Sequence, residues 1–265
     1  MKAICIMNLK GGVGKTVTAD NLAAILAAKH GKRVLLIDAD HQGNTSTFFQ
    51  ADRTEGLTLR EVLLNTAEPY WPDVVQRTGY EGLDILPADI SLAELDAAPP
   101  SGQEVPPVYR LRAFLAAVAE DDAYDYVVID MPPAFSVAAQ AALIAADEVI
   151  VPLKLDAFSV DGLAELLRQI AAMRRINPGL RLAGALLTMW RNVPVVTEAE
   201  AVLRSGAVPV FATHIRRTDR VDESTFSREP LYIYSPRSAA CIDYRRFVIE
   251  YLEQERRHSN GQSKV

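Results

Sequence analysis

Apolar residues along this chain fall into two recurring patterns. Short, mainly apolar runs at Ala3 to Met7, Val34 to Ile37, Val127 to Ile129, Glu148 to Leu153 and Leu182 to Thr188 are mostly bounded by polar or turn-forming residues. Runs of this length predict strands buried on both faces, as in a parallel sheet. Two weaker strands are predicted at Gly82 to Pro87 and Val208 to Phe211. Between them, apolar residues recur at helical spacing over Thr16 to His30, Leu57 to Leu64, Tyr109 to Glu120, Val137 to Ala146, Val160 to Ile176 and Ala240 to Glu255. The last of these puts Tyr244, Phe247, Tyr251 and Leu252 on one core-facing stripe. The alternation predicts an α/β fold: one domain over residues 1–257 with a mostly parallel twisted sheet and helices on both faces. His258 to Val265 is expected to be a polar, frayed tail. Ala97 to Pro107, rich in proline, reads as a surface loop inserted between sheet elements.

The segment joining the first strand to the first helix is Asn8-Leu9-Lys10-Gly11-Gly12-Val13-Gly14-Lys15-Thr16. Strand, glycine-rich loop and helix in this order make a P-loop. The glycines let the backbone wrap a phosphate with its N–H groups turned inward. The helix N-terminus, the Lys15 charge and the Thr16 hydroxyl, a magnesium ligand, complete the site. Leu9 stands where the plain P-loop pattern has its first glycine, and Lys10 adds a cation beside the glycine pair. The second long run ends in Asp38-Ala39-Asp40, whose two carboxylates lie on one side of the strand. They sit at the carboxyl edge of the sheet, where open α/β sheets bind ligands. His41-Gln42-Gly43-Asn44 follows as a loop. A histidine at 41 invites the role of general base, but Asp40 already fills it, and a loop histidine near solvent is the plainer reading. The run Val127 to Ile129 ends in Asp130, a Walker B arrangement that aims a carboxylate at the magnesium position near Thr16.

Composition narrows the reading. The chain has 265 residues, enough for one large domain, and no apolar run long enough to cross a bilayer. The N-terminus has no signal-peptide core, and Cys5 and Cys241, far apart in the chain, are expected to be reduced in a cytoplasmic protein. There is no CxxC or other metal-ligand cluster. The net charge of -6 hides an asymmetry: residues 1–200 carry 17 basic and 26 acidic side chains, residues 201–265 carry 11 basic and 8 acidic. A basic C-terminal quarter on an acidic body either focuses a polyanion on one face or is a set of scattered, solvated arginines.

Lys10-Gly-Gly-Val-Gly-Lys-Thr16 resembles the deviant Walker A loop of the ParA/MinD class of P-loop ATPases, and the resemblance extends from Ala3 to about Glu255. Asp38 to Asn44 is similar to the family's second motif, with His41 in place of a proline, and Met131 stands where the family has threonine. The resemblance implies ATP and magnesium as cofactors. Lys10, Gly11, Gly12, Val13, Gly14, Lys15, Thr16 and Val17 would hold the nucleotide, and Lys10 would reach the partner subunit's phosphates in an ATP-bound homodimer. Thr16, Asp38 and Asp130 would hold the metal, directly or through water, and Asp40 the attacking water. Met189 and Arg191 are placed at the rim for the base. Thr213 to Glu223, read as a basic loop running into acids, resembles a family segment used for sequence-independent DNA binding, with Arg216 in place of a proline. By position Arg217 and Arg220 inherit that role, with Arg191 as a third candidate, unless they pair instead with Asp219, Asp222 and Glu223.

The implied function is partition of chromosomal or plasmid DNA with a ParB-like partner, by a nucleoid-associated protein that does not bind membrane. The rivals are a MinD-like or other spatial regulator moving a different cargo, a nitrogenase-reductase-like protein and an ATP-dependent ligase. The stretch after Glu255 lacks the apolar face of a membrane-binding helix, and Cys5 and Cys241 fit a shared cluster poorly.

Overall fold

A computed structural model describes residues 1–53, 58–64, 71–97, 105–156 and 159–262. Eight strands form one sheet: β1 (Lys2–Ile6), β2 (Val34–Asp38), β3 (Gln76–Arg77), β4 (Leu83–Leu86), β5 (Tyr126–Asp130), β6 (Glu148–Lys154), β7 (Arg181–Trp190) and β8 (Val210–Arg216). Their spatial order is β3-β4-β2-β5-β1-β6-β7-β8, and only the short β3 is antiparallel to its neighbour. The predicted α/β class and parallel sheet are therefore observed.

Alternation along the central strands sorts side chains to two cores. Cys5, Leu35, Ile37, Val127 and Ile129 face one layer, which holds the helices Pro107–Glu120, Val137–Ala145 and Ser159–Met173. Ile4, Ile6, Val34, Leu36 and Val128 face the other, made by Lys15–His30 and the C-terminal helix Ala239–Gln262. Both faces are covered, so the strands read as continuous apolar runs. The register sets Asp38 opposite Asp130 on the neighbouring strands β2 and β5. Two carboxylates thus meet at the same edge because both runs stop at the same level.

Several boundaries differ from expectation. The segment read as a basic loop from Thr213 is strand to Arg216 and helix from Asp219 to Ser227. β8 is the edge of the sheet, so its polar residues are half-solvated. Its backbone is completed by side chains: Arg204 donates to the carbonyls of Phe211 (2.8 Å) and Ala212 (3.3 Å), and Glu250 accepts from the amides of Ala212 (2.6 Å) and Thr213 (2.9 Å). The last helix continues to Gln262, beyond Glu255, and Glu253–Arg257 spans one of its turns at 3.5 Å. Residues 263–265 of the expected tail, Leu57 at the predicted start of the helix Leu59–Leu64, and 98–104 of the expected proline-rich loop lie outside the described residues. Helices at Asn44–Phe48 and Pro194–Ser205 were not anticipated. Among the described residues no helix is long and apolar enough to cross a membrane.

Candidate nucleotide and metal site

The glycine-rich loop is tied down at both ends before any ligand arrives. The Asn8 side chain donates to Pro152 O on β6 (2.8 Å) and accepts from the amide of Lys10 (2.9 Å). At the other end Thr188 Oγ1, on β7, donates to Val13 O at 2.8 Å. Gly12 and Gly14 take φ of 70° and 84°, which side chains rarely adopt, so the loop can turn its amides inward and start the helix at Lys15. Gly14 caps that helix without a side-chain bond, which leaves its first amides for an anion.

Lys15 is almost fully buried, and its ammonium donates to Lys10 O at 3.1 Å, closing a ring around the loop. Burial lowers its pKa, while Asp130 and Asp40 act in the opposite sense. Lys10 Nζ lies 2.5 Å from Asp156 Oδ2, an ion pair to the loop after β6 within the same chain. Val17 follows half-buried on the helix.

The carboxylates form the opposite wall. Asp38 Oδ2 accepts from the amide and hydroxyl of Ser46 at 2.8 and 2.7 Å, and its Oδ1 accepts from the amide of Asp40 at 3.1 Å. Asp40 Oδ1 accepts from the Gln42 amide at 3.0 Å, with His41 Nδ1 3.7 Å away near the surface. Asp130 Oδ2 accepts from Thr16 Oγ1 at 2.8 Å and from Thr45 Oγ1 at 2.9 Å, while its Oδ1 is buried and has no partner among the described residues. Burial, then the charge of Asp38, pushes the Asp130 carboxyl up to about 7; burial pushes Asp38 up to about 6 against the lowering effect of its Ser46 bonds. A buried carboxylate oxygen with no donor is costly. A hard divalent cation resolves that cost: hydroxyl and carboxylate oxygens at a strand tip beside a phosphate loop are the donor set magnesium takes. The residues present fit the group.

A fourth carboxylate, Asp20, was not anticipated. It lies one helical turn beyond Thr16, 2 % exposed, with Oδ1 3.0 Å from Thr45 Oγ1. Burial and the nearby Asp130 hold its pKa well above the usual carboxylate range. The available signal was an acidic residue in a helix whose buried positions from Ala19 to Ala27 are otherwise apolar except for Asn21.

The expected residues Lys10, Lys15, Thr16, Asp38, Asp40 and Asp130 thus converge on one edge. Met189 takes a left-handed φ of 51° where the β7–β8 register shifts, which leaves it partly exposed next to the loop-contacting Thr188. Trp190 beyond it stacks on His214, ring centroids 3.9 Å apart. The Arg217 amide donates to Trp190 O at 3.0 Å, so Arg191 and Arg217 leave adjacent strands at one edge, both exposed. Arg220 is also exposed, but its guanidinium holds Glu223 at 2.5 Å, as the alternative pairing foresaw. Arg216 is committed to Asp243 through two bonds of 2.8 Å.

A family model described as an AAA domain matches residues 1–182. The chromosome partitioning protein ParA of Caulobacter vibrioides (strain NA1000 / CB15N) is 39% identical over 260 residues, spanning 97% of this chain and 96% of that protein. The sporulation initiation inhibitor protein Soj of Bacillus subtilis (strain 168) is 35% identical over 252 residues, spanning 92% of this chain and 95% of its own. Among solved structures, cobyrinic acid a,c-diamide synthase from Mycobacterium smegmatis with bound ADP and magnesium superposes with a TM-score of 0.80 at 32% identity, over 97% of this chain and 96% of that one.

Proposed function

Because the chain belongs to the ParA/MinD superfamily of P-loop ATPases, we propose that it hydrolyses ATP with magnesium, closes into a homodimer while ATP is bound, and in that form grips double-stranded DNA without sequence preference. In this reading it partitions chromosomal or plasmid DNA over the nucleoid, with a ParB-like protein stimulating hydrolysis. The observation that carries the ATPase reading is Asp130 Oδ1, buried and with no partner among the described residues, beside the Thr16 hydroxyl at the foot of a tethered phosphate loop. The relatives named as partition proteins support the biological role.

Each residue has a task its position suits. The amides from Gly11 to Val17 and the Lys15 ammonium take the phosphates, Lys15 exchanging Lys10 O for a phosphate oxygen. Thr16 and Asp130 would hold the metal, directly or through water. Asp38, whose oxygens already accept from Ser46 and Asp40, would join them as a metal-holding carboxylate. Magnesium, when bound, supplies the positive charge that neutralises the phosphate oxygens. Asp40, held by the Gln42 amide at the mouth of the site, orients the attacking water. Such preorganised electrostatics is the main lever in phosphoryl transfer. Met189 and Arg191 border the base. Lys10 leaves Asp156 for the phosphates of the second subunit, exchanging one anion for another, so that nucleotide state and dimerisation are coupled.

Arg217, Arg191 and Arg220 then present the DNA-binding charge. Phosphate contacts carry no sequence information and need only positive charge on the closed dimer's face, so an acidic protein can make them. The test is binding to random-sequence duplex DNA with ATP, with ADP and without nucleotide, over a salt series. Tight, salt-sensitive binding is expected with ATP alone; equal affinity in all three states removes the switch. The likeness to cobyrinic acid a,c-diamide synthase favours a second reading, an ATP-dependent ligase. ATP turnover that appears only when a small acid substrate is added would select it.

A further inference from the structure

Asp20 and Thr45 lie outside the set of groups used above, yet both are buried against it. The helix Lys15–His30 is buried over most of its length and carries mainly alanine and leucine on those positions, so an aspartate in its middle needs a reason. A carboxyl group withdrawn from water is costly unless it is hydrogen-bonded. Thr45, second in the short helix Asn44–Phe48, shows no exposure, and its hydroxyl sits 3.0 Å from Asp20 Oδ1 and 2.9 Å from Asp130 Oδ2. A hydroxyl has one proton to give, so the two bonds coexist when Thr45 donates to Asp130 and a protonated Asp20 donates to Thr45 Oγ1.

The geometry around Asp130 is lopsided. Both hydroxyl contacts, from Thr16 and Thr45, fall on Oδ2, and among the described residues none falls on Oδ1. Fixing one oxygen of a carboxylate fixes where the other points. Thr16 is itself offered to the metal, which leaves Thr45 as the contact on Oδ2 with no other duty there. Its neighbour Ser46 grips Asp38 in the same way, so two consecutive residues of one helix orient the carboxylates of two strands. Losing a hydrogen-bonded partner of this kind typically costs about 10- to 100-fold in metal affinity.

We propose that Thr45, held in place by Asp20, is a positioning residue that locks the Asp130 carboxylate with Oδ1 toward the cation. This rests on reading Asp130 as a magnesium ligand. The test is calorimetric binding of a non-hydrolysable ATP analogue over a magnesium series and in EDTA, for the full chain and its variants. Thr45→Val should raise the magnesium concentration for half-saturation by about tenfold or more. Analogue binding in EDTA should stay close to that of the parent, while the melting temperature falls because buried Asp20 loses its hydroxyl contact. Thr45→Ser, which keeps the hydroxyl, should restore the parent's magnesium requirement. Asp20→Ala should shift it in the same direction as Thr45→Val, and the double variant should be no worse than Thr45→Val alone, since the two act in series. An intact Thr45→Val with the parent's magnesium requirement, or a Thr45→Ser as impaired as Thr45→Val, overturns the proposal. If Thr45→Val does not fold, Asp20→Ala with an unchanged requirement overturns it equally. A parent protein whose analogue binding ignores magnesium sinks the underlying reading of the site instead.

Discussion

At the tips of β2 and β5, the carboxylates Asp20, Asp38, Asp40 and Asp130 lie buried and are held by amides and hydroxyls of their own chain. At the tips of β7 and β8, Arg191, Arg217 and Arg220 stand in solvent, and a nearby acid engages one of them. The same sheet edge therefore handles charge in two ways. The buried region accepts a desolvation cost so that its groups are in place before a ligand binds, where each is worth much in a low-dielectric site. The exposed region stays hydrated and screened, and each of its charges is worth little until many act on one polyanion. Substitutions should cost far more in the first region than in the second.

The largest effect is expected from Lys15→Ala, which takes the cation from a wall of carboxylates: ATP turnover, read by phosphate release, should fall by at least about a hundredfold. Asp40→Ala should lower turnover by a similar factor of about a hundred while leaving ATP binding intact, which traps the ATP-bound form; stoichiometric nucleotide retention on a desalting column checks this. An Asp40→Ala protein that turns over normally would place the water elsewhere. Lys10→Ala should leave the isolated subunit folded and nucleotide-bound but monomeric with ATP in sedimentation.

Smaller effects belong to the arginine edge. Arg217→Ala should reduce the salt dependence of ATP-state DNA binding by about one in log–log slope. Arg220→Ala should do less, because its charge is already shared with Glu223. Equal losses from the two would mean that DNA breaks the Glu223 pair. Arg216→Ala, at the end of β8 just before Arg217, is the control: it should leave DNA affinity nearly unchanged. It should cost about 1 kcal/mol of stability in a denaturant melt, because buried Asp243 loses the partly solvated guanidinium while keeping the amide of residue 216.

The two regions were also unequally legible in the sequence. Asp38 and Asp130 could be located because an apolar run must end where the sheet ends, and parallel strands end together on one edge. Lys15 and Thr16 could be located because glycines at positive φ leave few alternatives for a loop between strand and helix. β8 was harder, since an edge strand keeps polar residues such as Thr213 and His214, and its missing hydrogen bonds come from Arg204 and Glu250, residues on other elements. The short antiparallel β3 has only two residues and no apolar run to announce it. Lys10 on Asp156 and Thr188 on Val13 join segments far apart in the chain, and no local pattern encodes such meetings.

By itself the sequence determined which residues could be buried and in what period, hence the strands, the helices and the strand tips that carry acids. Those follow from solvent exclusion and backbone geometry, which act over a few residues at a time. Only the tertiary structure decided what each acid meets: Ser46 on Asp38, Thr45 between Asp20 and Asp130, and an oxygen of Asp130 left without a donor among the described residues. Hydrogen bonds reach about 3 Å, so a pairing exists only once packing has brought distant segments within that distance.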